Sequence, residues 1–214
     1  MVLAEAAGED RAVKTLDVSE LPPYDISSQA PLWWGQLCVA IIEGTMFSIL
    51  IAAYLYTRLR VDVWPPPGDQ YPHLLLPTMG LLALILSALP AYWASQAAKR
   101  DDSRGVIRNL ILNLLLAAAF FVMRIVEWHS LNFNWQADVQ GSYVWAFLGL
   151  HSYDVIGDAA FTLVLLVLFL TGRSGENQRL GVHVDSVVWY FLVGIWIPIY
   201  VVVYWGPRIL GSNQ

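Results

Sequence analysis

Five nearly continuous apolar stretches alternate with polar segments along the chain. They cover 33–58, 74–97, 106–129, 143–172 and 186–210. At about 1.5 Å rise per residue, each is long enough to span a hydrocarbon core of about 30 Å as a helix. The pattern predicts an all-α integral membrane protein, a helical bundle with five transmembrane helices over residues 32–210. Residues 1–31 are polar and acidic, are held extended by Pro22, Pro23 and Pro31, and read as an exposed tail; 211–214 form a short end. The run Pro65, Pro66, Pro67, Gly68 breaks the chain between the first two spans, because three consecutive residues lack a backbone donor. Pro77 opens the second span, where a missing N–H is tolerated, and Pro90 is expected to kink it. Trp33 and Trp34 mark one interface, Tyr92 and Trp93 another, and Tyr200, Tyr204 and Trp205 a third.

Composition strengthens the membrane reading. Hydrophobic residues make up 57% of the 214 and charged residues only 14%, against about 25% in soluble domains; mean hydropathy is +0.53. No basic patch exists for nucleic acid. The net charge of −5 says little, since the first 25 residues, with six acids and two bases, carry −4 of it. The acidic start has no apolar stretch of the signal-peptide kind. Cys38 has no partner for an intrachain disulfide and no clustered His for a thiolate metal site. Arg11, Lys14, Lys99, Arg100, Arg104, Arg108, Arg173 and Arg179 fall on one side of a five-span topology, and Arg58, Arg60 and Arg208 on the other. Positive residues stay inside, so the N-terminus is expected in the cytoplasm and the C-terminus outside, in a bacterial inner (plasma) membrane.

Ionisable residues within the spans are the candidate chemistry, because each is costly in hydrocarbon and needs a partner, a proton or a polar cleft. Glu43 lies near the middle of the first span. His151, Asp154 and Asp158, at spacings of three and four, share one face of the fourth. Both sets fall near the midplane, so contact between helices one and four would bring Glu43 to the His151/Asp154 face. Arg124 and Glu127, three apart near the end of the third span, predict an ion pair at the membrane edge. Three readings of the first cluster compete: a metal site, a proton-conducting or lipid-headgroup site, and a structural hydrogen-bond network. A di-iron bundle needs about four carboxylates and two Glu-x-x-His units, and here one unit occurs, reversed. No catalytic or cofactor-binding residue is expected: phosphate loop, nucleophile–base pair and Cys/His cluster are all missing. His151 is the one histidine deep enough for haem, and a bis-His site needs two. A cation at the Glu43 position is expected to impair assembly.

Several motifs, in order, resemble subunit III of the haem-copper oxidases, the cytochrome c and quinol oxidase family. Ile42-Glu43-Gly44-Thr45-Met46-Phe47 followed by Ala53-Tyr54 resembles the family's carboxylate helix. Trp64-Pro65-Pro66 resembles its Trp-Pro-Pro loop, and Pro77-Thr78 and Glu127-Trp128 stand at its Asn-Thr and Glu-Tyr positions. Gly149-Leu150-His151 with Val155-Ile156-Gly157 resembles its long helix, and Trp196, Tyr200 and Tyr204-Trp205-Gly206 its closing motif. The similarity covers about 33–207. Departures are specific: Asp154 stands where the family has a second His, Arg124 replaces a Gln, and Trp189-Tyr190-Phe191-Leu192-Val193 lacks the usual His and Asp. The pattern fits a divergent five-helix bacterial type.

The resemblance implies a cofactor-free accessory subunit of a respiratory terminal oxidase. Haem and copper would belong to partner subunits. The chain would pack beside catalytic subunit I and other oxidase subunits, hold structural phospholipid between its helix groups, and support proton uptake, with Glu43 as its buried carboxylate. Whether cytochrome c or quinol donates the electrons stays open. Two alternatives stand beside it: a subunit III-like accessory protein of nitric oxide reductase, and, in another class, a small proton- or ion-coupled transporter using Glu43 and Asp154.

Overall fold

A computed structural model describes residues 31–61, 64, 73–136 and 138–209. The tail before Pro31 with Arg11 and Lys14, the proline run 65–67 and the end 211–214 lie outside the described residues. Among the described residues the secondary structure is helical throughout: α1 (Pro31–Arg60), α2 (Leu75–Lys99), α3 (Ser103–Ser130), α4 (Val139–Leu170) and α5 (Glu176–Tyr200), then a π-helical turn (Val201–Trp205) and α6 (Gly206–Ile209). Five helices are long and apolar enough to cross a membrane, α5 being counted through to Ile209. The all-α, five-span reading is correct.

Local chemistry sets the helix ends. Asp102 and Asp138 each begin a helix by accepting a backbone N–H three residues on, from Gly105 at 2.9 Å and Gly141 at 2.6 Å. Gly141 is required by a close approach: a Cβ there would sit 2.5 Å from the backbone oxygen of Asn134. After α4 the chain turns at Gly172, whose φ of +72° only glycine adopts at little cost. α5 starts ten residues before the apolar stretch that announces it. Its polar first turns read as loop in the sequence, but Gln178 Oε1 accepts the Gly175 N–H at 2.9 Å, and Leu180, Val182 and Val184 are buried against the bundle. Packing and capping extend the helix where hydropathy alone stops it.

Neither interior proline stops its helix. α2 continues through Pro90. Pro198 lies in α5 just before the π turn, where the missing N–H disturbs the i→i−4 ladder. That turn carries the aromatic cluster inward. Tyr200 and Tyr204 are buried while Trp205 remains exposed, so two of the three residues assigned to an interfacial belt are core residues instead.

α2 and α3 form the closest antiparallel pair, and α5 packs across α2, α4 and α1. Small residues on α2, Ala94, Ala97 and Ala98, let α3 approach. Polar cross-links tie α5 to α2: Trp189 Nε1 donates to Ser87 Oγ at 2.7 Å, and Ser186 Oγ to the Ala91 carbonyl at 2.8 Å. The main core gathers Phe47, Phe120, Phe147, Trp189 and Trp196. α1 is outermost and buries only Phe47 and Tyr54.

Candidate functional site

α1 is pinned at one end and stands apart at the other. At its C-terminal end the Tyr54 ring lies edge-on to Trp64 and Tyr143, with centroids 5.6 Å away in each case, and to Phe147 at 6.2 Å. Trp64 Nε1 donates to Tyr54 OH at 3.3 Å, and Thr57 Oγ1 and Tyr143 OH are 3.0 Å apart. At its N-terminal end a cleft of about 310 Å³ opens between α1, α4 and α5. It runs along α1 from Leu32 past Gln36 to Glu43 and is closed on the α5 side by Val184, Val188 and Leu192.

Three carboxylates face this cleft: Glu43 from α1, and Asp154 and Asp158 from α4. Helical spacing puts the two aspartates one turn apart on a single face, and the packing of α1 on α5 swings Glu43 opposite them. Glu43 and Asp154 are half-buried, whereas Asp158 is 8% exposed. One oxygen of Asp154 and one of Asp158 are buried without a hydrogen-bond partner among the described residues. Among the described residues, no Arg, Lys or His lines the cleft. Ionised carboxylates crowded in such a place repel one another, so the arrangement suits holding protons better than holding fixed ion pairs.

His151 does not join the carboxylates. It is fully buried, its Nε2 is 3.1 Å from the Leu192 carbonyl, and its ring stacks on Trp196 with centroids 4.4 Å apart. The ring belongs to a second polar group that includes Arg124 and Glu127. Arg124 Nη1 pairs with Glu127 Oε2 at 3.0 Å, its guanidinium lies 4.2 Å over the Trp196 ring and 5.0 Å over Phe120, and Tyr204 OH donates to the other Glu127 oxygen. The expected ion pair is present and is enclosed by aromatic rings inside the bundle, with side chains 2% and 5% exposed. The six sequence candidates divide into an open acidic cleft and a sealed cationic–aromatic knot.

Asp185 was missed. It is 2% exposed on α5 and accepts from Thr162 Oγ1 at 2.9 and 3.1 Å, while that hydroxyl also lies 3.0 Å from the Asp158 carbonyl. Asp185 closes a stretch, 176–185, in which polar residues interrupt the apolar ones, so the stretch reads as loop four. The available signal was the helical spacing of Val182, Asp185, Trp189, Leu192 and Trp196, which puts Asp185 on the buried face of α5. Among the described residues no group of three His, Cys, Asp or Glu could hold a metal ion. The donor sets do not fit haem or copper either, since the one deep histidine already has its Nε2 against a carbonyl and its face on an indole.

Comparison with known proteins agrees with the motif order. A family model described as cytochrome c oxidase subunit III matches residues 24–207. The cytochrome c oxidase subunit 3 of Thermostichus vulcanus is 29% identical over 173 residues, covering 79% of this chain and 85% of that one. The protein of the same description from Synechocystis is 25% identical over 174 residues, 80% of this chain and 74% of the relative. That of Podospora anserina is 24% identical over 193 residues, 87% and 72%.

Proposed function

The chain belongs to the cytochrome c oxidase subunit III family, a non-catalytic subunit of an oxidase complex, and from that premise we propose that it braces the catalytic subunit, holds phospholipid and supports proton uptake through its acidic cleft. Haem and copper reside in the partner subunits in this reading, and this chain contributes carboxylates, shape and lipid contact. The observation that carries it is the convergence of Glu43, Asp154 and Asp158 on one cleft, whose lining among the described residues includes no cation.

The position of the cleft supports the proton role. Lys and Arg distribution assigns the N-terminal end of α1 to the cytoplasm, and the cleft begins there at Leu32 and Gln36. Protons entering from that side would meet polar side chains before reaching Glu43. Three carboxylates at different depths form a local reservoir whose protons exchange with bulk water and pass to the neighbouring catalytic subunit. The apolar walls from α1 and α5 suit acyl chains, so phospholipid in the outer part of the cleft would keep α1 at its distance from α4. The tail over 1–31 and the transmembrane domain over 32–210 are the two units of this reading, in a bacterial cell membrane with the C-terminus outside.

The oxidase reading displaces the nitric oxide reductase and transporter alternatives because every relative described above is a cytochrome c oxidase subunit 3. The test compares the intact complex with one carrying Glu43→Gln, Asp154→Asn and Asp158→Asn together. The expected result is assembly with normal haem content, near-normal initial oxygen consumption, and a rate that declines earlier under sustained turnover. Unchanged proton-uptake kinetics and unchanged endurance would overturn the proton role; oxygen consumption by the isolated chain would overturn the accessory role.

A further inference from the structure

The tight turn joining α2 to α3 holds a second cavity, built from other helices than the acidic cleft. Its volume is about 360 Å³, and its polar lining comes from Gln96, Arg100, Asp102, Arg108 and Asn109, with Trp93 at the edge. For scale, one water takes up about 30 Å³ of the liquid. Arg100 and Arg108 are exposed, and among the described residues neither guanidinium has a hydrogen-bond or ion-pair partner. The neighbouring acids are partly engaged: Asp101 pairs with Arg179 of α5, and one Asp102 oxygen accepts the Gly105 N–H. Asn109 gives the independent sign of a ligand. It is 2% exposed, it lines the cavity, and among the described residues its side-chain carbonyl has no partner, although buried polar atoms are ordinarily satisfied.

We propose that this corner binds the headgroup of a phospholipid. Arg100 and Arg108 take the phosphodiester, and Asn109 with the free oxygen of Asp102 accepts from N–H or O–H groups of an ethanolamine or glycerol headgroup. Guanidinium forks match phosphate oxygens by charge and by shape, and the first turn of α3 adds its dipole. The setting favours a lipid over a free phosphate. Trp93 is half-exposed at the rim, where indoles anchor at the membrane–water boundary. Below it Ile85 and Leu89, at steps of four along α2, continue an exposed apolar stripe that an acyl chain can follow. A choline headgroup has no N–H or O–H and forfeits the acceptor half of the site. The site is independent of the oxidase reading and of the cleft at Glu43.

The experiment uses the intact complex, delipidated in mild detergent and titrated with dioctanoyl phosphatidylglycerol, phosphatidylethanolamine or phosphatidylcholine, with adducts counted by native mass spectrometry. Among the adducts that phosphatidylglycerol or phosphatidylethanolamine add, one should be saturable and weaken about tenfold or more in the Arg100→Gln/Arg108→Gln variant, while lipid held at the acidic cleft stays unaffected. Arg104→Gln, exposed on the same turn but off the cavity lining, should change binding by less than about twofold. Thermal midpoints and complex yield establish that the variants fold. Equal binding by the double variant, or equal loss in Arg104→Gln, overturns the site. Binding of phosphatidylcholine as strong as the others overturns the headgroup assignment, and displacement by millimolar inorganic phosphate shows a free-phosphate site instead.

Discussion

Arg124 and Glu127, one turn apart on α3, form an ion pair at 3.0 Å with both side chains almost wholly enclosed. Three aromatic residues complete the enclosure: Trp196 and Phe120 offer ring faces to the guanidinium, and Tyr204 donates to the carboxylate. Breaking one half of such a pair leaves a charge that nothing nearby compensates, which costs about 3–5 kcal/mol. Arg124→Met should therefore lower the thermal midpoint of the complex sharply. Arg124→Lys should recover only part of it, since an ammonium cannot stack flat on Trp196. A midpoint for Arg124→Met equal to that of the parent would show that the pair contributes nothing.

Glu43 lies among carboxylates, and this changes what its replacement should do. A cation at the middle of a lipid-facing helix is expected to block assembly, but the cleft sets Asp154 and Asp158 on its other wall. Glu43→Lys should assemble, with the lysine paired to an aspartate, and should lose the proton-holding role. Glu43→Gln should assemble equally well. Yield of haem-containing complex is the measurement, and a Glu43→Lys yield far below that of Glu43→Gln would count against the cleft geometry.

Thr162 links α4 to α5 through Asp185. Removing that hydroxyl leaves a buried carboxylate without this donor, at a cost of about 1–3 kcal/mol. Thr162→Val should destabilise by that amount and Thr162→Ser should be close to neutral, read as detergent-solution melting of the complex. A destabilised Thr162→Ser beside an unaffected Thr162→Val would assign the contribution to the methyl group rather than to the hydroxyl.

Two glycines of α4 should respond in opposite ways. Gly141→Ala pushes a methyl group onto the Asn134 backbone oxygen and should cost about 1–3 kcal/mol, as overpacking does. Among the described residues, a Cβ at Gly149 would meet nothing within 4 Å, so Gly149→Ala should be neutral or stabilising by up to about 1 kcal/mol. The comparison of melting temperatures is direct, and a harmless Gly141→Ala would mean that the turn before α4 relaxes freely.

Hydropathy alone determined the number of spans and the all-helical class. A bilayer sets span length, and twenty or so apolar residues satisfy it whatever they pack against. Motif order also made the family legible before any coordinates, and the expense of charge in hydrocarbon singled out the six polar candidates. The partition of those candidates was decided only in three dimensions. Helical spacing placed His151 with Asp154 and Asp158, yet the packing of α5 against α4 gave His151 to the Arg124 knot and left the aspartates to Glu43. The start of α5 was equally invisible to hydropathy, because capping by Gln178 and contacts with other helices hold those turns in place. Side-chain partners on separate helices depend on how the helices rotate and tilt against one another, and neither quantity is encoded in the spacing of residues along one chain segment.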